Sequence, residues 1–70
     1  MMPLTLAADG QSNIIRHIGG SPEMKRHLED LGFIAGGSVT VISRISGNLI
    51  VSVKDTRIAI DQKMAAKIMV

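Results

Sequence analysis

The stretch VTVISRISGNLIVSVKDTRIAI, residues 39–60, decides the fold. Its β-branched residues predict three short strands in succession. Val39 and Val41 alternate with polar neighbours, whereas Ile42 and Ile45 fall out of phase with them. A bulge or a strong bend reconciles the two halves. Gly47-Asn48 fits a two-residue hairpin turn. Leu49, Val51 and Val53 then alternate with Ile50, Ser52 and Lys54, and Lys54-Asp55-Thr56 makes a second turn. On the next strand Ile58 and Ile60 face one way, with Arg57 and Ala59 opposite.

On the N-terminal side of these strands lies one helix, expected over about residues 22–31. Ser21 can cap it, Pro22 suits the first helical position, and Glu23 favours the positive end of the dipole. Met24, Leu28 and Leu31 fall at i, i+4 and i+7, which makes a single apolar stripe. Gly32 is the natural stop, because it accepts the left-handed conformation. Phe33-Ile34-Ala35-Gly36-Gly37 is a short apolar loop with two glycines.

Further out, Leu4 and Leu6 alternate with Thr5 as a strand-like start, and Asp9-Gly10 signals a turn. Asn13 to Ile18 is a strand whose faces the adjacent Ile14 and Ile15 leave unassigned, and Gly19-Gly20 ends it. Past the triple strand, Asp61 can cap a helical turn over residues 62–66. Ile68-Met69-Val70 closes the chain as a short strand. The fold class is therefore mainly β: a small barrel of five to six short antiparallel strands, in one domain spanning 1–70. The helix plugs one end and buries Met24, Leu28 and Leu31.

Composition excludes several functions. A chain of 70 residues without cysteine has neither disulfides nor a Cys-based zinc site to staple it. Its core must come from the 46% apolar residues, among which Phe33 is the sole aromatic. No apolar stretch approaches the ~20 residues that span a bilayer, and Met1 to Asp9 lacks the pattern of a signal peptide, so a cytosolic location is expected. Eight basic residues stand against six acidic ones, and only Lys25 and Arg26 are adjacent, which is sparse for a nucleic-acid binder. A single Phe cannot make the stacking platform of an OB-type barrel, although a barrel of the Sm type relies less on stacking. Nor can it line the aromatic groove of a PxxP reader.

The sequence also lacks the constellations of catalysis. His17 and His27 lie in different elements, outside any nucleophile or metal motif. Glu29 and Asp30 are adjacent on a helix and do not face each other. His27 and Glu23 offer two potential metal ligands at i,i+4 spacing, which is weak as a site and reads as a solvated pair. Gly32 to Ser38 is glycine-rich but lacks the G-K-[ST] ending and follows a helix, the reverse order for a phosphate loop. The chain is thus expected to be no enzyme, with no catalytic residue, no metal ligand set and no cofactor.

The run Lys25-Arg26-His27-Leu28-Glu29-Asp30-Leu31-Gly32-Phe33-Ile34-Ala35-Gly36-Gly37-Ser38-Val39 resembles the core of the FeoA family, R/K-x-x-L-x-x-L-G-[LFM]-x-P-G-x-x-[VF]. Gly19-Gly20 looks like the family's I-x-G-G segment. The turn at Gly47-Asn48, then Ile58-Ala59-Ile60 and Ala65 to Val70, is similar to its closing segments. The resemblance covers essentially the whole chain, with one departure: Ala35 stands where the family usually has proline, which would pre-set φ.

The resemblance implies an SH3-like barrel, a domain type also found at the C-terminus of iron-dependent repressors of the diphtheria-toxin-repressor class. It implies a small cytosolic accessory protein of ferrous iron uptake, acting with the cytosolic GTP-binding part of the membrane iron permease. Contact with the membrane would then be indirect, and no nucleic acid is expected. Candidate partner-binding residues are Lys25, Arg26 and Glu29 on the helix and Phe33 and Ile34 after it, with burial under the barrel end as the other reading of Phe33, since large apolar residues are mostly inside. Ser21, Pro22, Gly32, Gly36, Gly37, Gly47 and Asn48 are assigned to caps and turns. Two other readings stay open: an iron-responsive regulatory module that binds the metal itself, and a small RNA-binding barrel. An open barrel edge would also support a homo-oligomer.

Overall fold

The computed structural model describes residues 1–70. Six strands form two antiparallel sheets: β1 (Ser12–Ile14), β2 (His17–Ile18), β3 (Ser38–Ile45), β4 (Asn48–Val53), β5 (Thr56–Ile60) and β6 (Ile68–Met69). The first sheet has four strands in the order β1-β3-β4-β5, and the second pairs β2 with β6. Helix α1 (Pro22–Asp30) joins β2 to β3, and a single helical turn, α2 (Gln62–Ala65), joins β5 to β6. The sequence-based expectation of a mainly β barrel with one inserted helix agrees with this architecture.

The core is aliphatic around one ring. Val39, Val41, Leu49, Val51, Val53 and Ile60 come from the large sheet, and Ile18 and Ile68 from the small one. Leu28 and Phe33 join this core from α1 and the loop after it, Leu4 and Ala7 from the N-terminal segment, Ala65 from α2, and Ile15 and Val70 complete it. Met24 and Leu31 are half-buried against this cluster, so the helical stripe does face the barrel.

Several expected elements differ. Residues Leu4–Leu6 form a 3-10 turn, not a strand, with Leu6 N–H donating to Pro3 O and Ala7 N–H to Leu4 O. Leu4 and Ala7 are the buried pair, at the i,i+3 spacing of that helix, whereas Leu6 is exposed. Two leucines two apart could not separate these periods. The expected strand Asn13–Ile18 is two strands in different sheets. The chain crosses from one sheet to the other at Ile15, which is buried while Ile14 is exposed. That crossing is why strict alternation fails at the Ile14-Ile15 doublet.

The phase break in β3 is a bulge: Val41 pairs with Val51 and Ser43 with Ile50, leaving Ile42 unmatched and at the surface. The first hairpin turn is Ser46-Gly47, one residue earlier than expected, because both carry positive φ (50° and 84°) as a type I′ turn requires. Asn48 is the first residue of β4, opposite Ile45. The second turn is Lys54-Asp55, with φ of 50° and 61°, and Thr56 already belongs to β5, opposite Val53.

Candidate functional site

Helix α1 begins as its sequence predicts. Ser21 is extended and its Oγ accepts from Met24 N–H at 3.2 Å, and Pro22 takes the first helical position. The helix ends in a Schellman motif: Phe33 N–H donates to Leu28 O and Gly32 N–H to Glu29 O, both at 2.9 Å, with Gly32 at φ +109°. That motif brings its flanking apolar residue back onto the last turn. Phe33 accordingly packs with Leu28, both fully buried. Phe33 is therefore part of the core and cannot be a docking residue, a correction to the expected partner surface. The hydrophobic contact that accompanies a Schellman motif was the signal for it in the sequence.

The rest of that surface is exposed. At 100° per residue, burial of Leu28 points Arg26 away from the barrel, with Glu29 and Asp30 beside it and Lys25 at the margin. The one ion pair of the chain joins Arg44 to Asp9, so all five charged side chains of α1 (Glu23, Lys25, Arg26, Glu29 and Asp30) are unpaired within the fold. The loop after α1 carries the remaining candidate, Ile34. Gly37 N–H donates to Ile34 O at 3.0 Å and Gly36 has φ +88°, which closes a type II turn with Ala35 at its second position. The turn is tied to the end of β1 by Gly36 N–H to Ile15 O at 2.7 Å and Ile15 N–H to Gly37 O at 2.8 Å. It holds Ile34 at the surface, 39% exposed.

A second polar feature escaped the sequence reading. Arg44 donates from Nε to Asp9 Oδ1 at 2.9 Å and from Nη1 to Thr5 O at 2.8 Å, and its Nη2 reaches Ala7 O. One guanidinium thus laces the 3-10 turn and the residues after it onto β3, just past the bulge. Gly10 N–H donates to Val41 O at the bulge itself. An isolated Arg in a β-branched run carried no sign of these partners, which lie 35 to 39 residues away.

Two shallow concavities, of about 260 and 300 Å³, complete the surface. The first is built around Arg44 and Asn48, and the second around Thr40, Ser52 and Lys54. Neither contains a histidine or a pair of carboxylates. No three His, Cys, Asp or Glu side chains converge as a ligand set, and His27 and Glu23 both sit on the exposed side of α1.

Residues 2–70 match the model of the FeoA domain. The chain is 34% identical to "Putative Fe(2+) transport protein A" of Methanocaldococcus jannaschii over 70 residues, covering all of this chain and 85% of that protein. It superposes on the crystal structure of an iron uptake regulatory protein, FeoA, with a TM-score of 0.89 and 28% identity over 97% of this chain and 90% of the other. Stenotrophomonas maltophilia FeoA, crystallised with zinc, gives 0.84 at 23% identity over 99% and 88% of the two chains. A manganese-dependent transcriptional repressor gives 0.85 at 20% identity, over 94% of this chain and 38% of the repressor. The last two likenesses concern the fold alone.

Proposed function

The chain belongs to the FeoA family, and from that premise we propose that it is a non-catalytic accessory protein of ferrous iron uptake. It works in the cytoplasm by docking onto the cytosolic GTP-binding part of a ferrous iron permease, and reaches the membrane only through that partner. The family match over residues 2–70 carries this reading. The docking face consists of Lys25, Arg26 and Glu29 on α1 and Ile34 at the following turn, all exposed. Unpaired charges of both signs steer and orient a partner, and the exposed Ile34 in the following turn supplies an apolar anchor.

The test is an NMR titration of the ¹⁵N-labelled protein with the permease's isolated cytosolic domain, with and without guanine nucleotide. Shifts concentrated at residues 25–36 are the expected result. Lys25→Glu with Arg26→Glu should weaken binding about tenfold and more so at low salt. Thermal stability should stay within about 0.5 kcal/mol, since neither side chain is packed. Unchanged affinity in that double variant would reject this face, and an absence of shifts at high concentration would reject the cytosolic domain as the partner.

A further inference from the structure

Strand β5 is paired on one side only. It is the outer strand of the four-stranded sheet, and no other strand lies along its far edge. Val53 and Thr56 flank the two-residue turn and so form a hydrogen-bonded pair of the hairpin. By alternation Thr56, Ile58 and Ile60 bond to β4, while the N–H and C=O groups of Arg57 and Ala59 point to the open edge. No hydrogen bond outside the hairpin engages either residue. Asp61 continues the edge in extended conformation, with φ −79° and ψ 169°.

The side chains along this edge read as their own complement. Arg57, Ala59 and Asp61 follow one another at every second position and are all exposed. Reversed and set antiparallel about Ala59, Arg57 stands opposite Asp61 of a second copy, Asp61 opposite Arg57, and Ala59 opposite Ala59. On the core-facing side the same register sets half-buried Ile58 against Ile60. Arg57 has no ion-pair partner in its own chain. Asp61 uses Oδ1 to cap α2 through Met64 N–H at 2.7 Å, which leaves Oδ2 for a guanidinium. Shifting the second copy by two residues sets Asp55 against Asp61, and shifting it by four sets Arg57 against Arg57, both like-charged.

We infer that the β5 edge is a self-association surface, on which a second copy of this chain adds its own β5 antiparallel about Ala59. The interface is short, so the dimer forms only at high concentration. It is separate from the α1 face and stands or falls independently of permease docking.

Sedimentation equilibrium on the full chain at low salt, from micromolar to millimolar, should show the mass rising from one copy to two. Amide exchange at Arg57 and Ala59 should slow in parallel, and salt should weaken the dimer. Ala59→Pro removes an N–H that faces away from β4, a position where an edge strand tolerates proline. It should weaken the dimer by about tenfold or more with the circular dichroism spectrum unchanged. Arg57→Glu, which sets Glu against Asp61, should do the same without touching the backbone. A monomer at millimolar concentration overturns the inference, as does a dimer that both variants leave intact. Protection of Arg57 and Ala59 only on addition of the permease domain would also overturn it, by assigning the edge to that partner.

Discussion

Ala35 shows how one residue connects sequence to stability. It occupies the second position of a type II turn, between Ile34 and Gly36, and its N–H donates to nothing in the fold. Proline is favoured at that position, because its fixed φ matches the turn and it has no N–H to lose. Ala35→Pro should therefore stabilise the protein by about 0.5–1 kcal/mol through the unfolded chain. In thermal unfolding that is a rise of roughly 2–8 °C for a domain of this size. A drop in melting temperature would mean that the turn is not held as described. The neighbouring Phe33 and Ile34 mark the limit of reading residues singly. Both are large and apolar beside two glycines, yet the Schellman geometry buries one and the turn exposes the other. Arg44 lay further from view, since its three acceptors belong to a segment joined to β3 only by the fold.

Among the elements, α1 was the most legible, because a capping serine, a first-turn proline, a helical stripe and a stop glycine all agree on one helix. The β3–β5 meander was legible in its strands and displaced in its turns. The displacement has a local cause: Ser46, Lys54 and Asp55 adopt positive φ without being glycine. Left-handed conformation costs about 1–2 kcal/mol for an ordinary L-residue and less for Asn or Asp. The β4–β5 turn, with no glycine at all, carries the larger share of that strain. Lys54→Asn with Asp55→Gly would install the Asn-Gly pair that a type I′ turn prefers. The double variant should gain about 1 kcal/mol in chemical denaturation, offset in part by the freedom glycine adds to the unfolded chain. The denaturant slope should not change, because the buried surface is the same. β1 and β2 were the least legible. Two- and three-residue strands carry too little periodicity to announce that they belong to different sheets.

At the scale of the molecule, the barrel is held shut by pairing between residues far apart in the chain. Met2 N–H donates to Val70 O and Val70 N–H to Met2 O, each at 2.8 Å, and Pro3 lies against Met69. Arg16 N–H reaches Met69 O from the other side, so β6 is covered along both edges. Leu4 follows at once and is completely buried. A domain of this length has a stability of only about 4–10 kcal/mol. Its fifteen-residue core has no disulfide to reinforce it. Removing residues 1–6 deletes a buried leucine, about 2–5 kcal/mol on its own, and uncovers one edge of β6 together with Val70. The shortened chain should therefore be largely unfolded at physiological temperature, with lost strand signal in circular dichroism and amide protons that exchange throughout. Leu4→Ala separates the two contributions, since it keeps the backbone pairs and loses only the side chain. It should remain folded with its denaturation midpoint lowered in proportion to that side-chain loss. If the shortened chain instead unfolds at the same midpoint as Leu4→Ala, pairing around β6 contributes nothing and the barrel is closed by core packing alone.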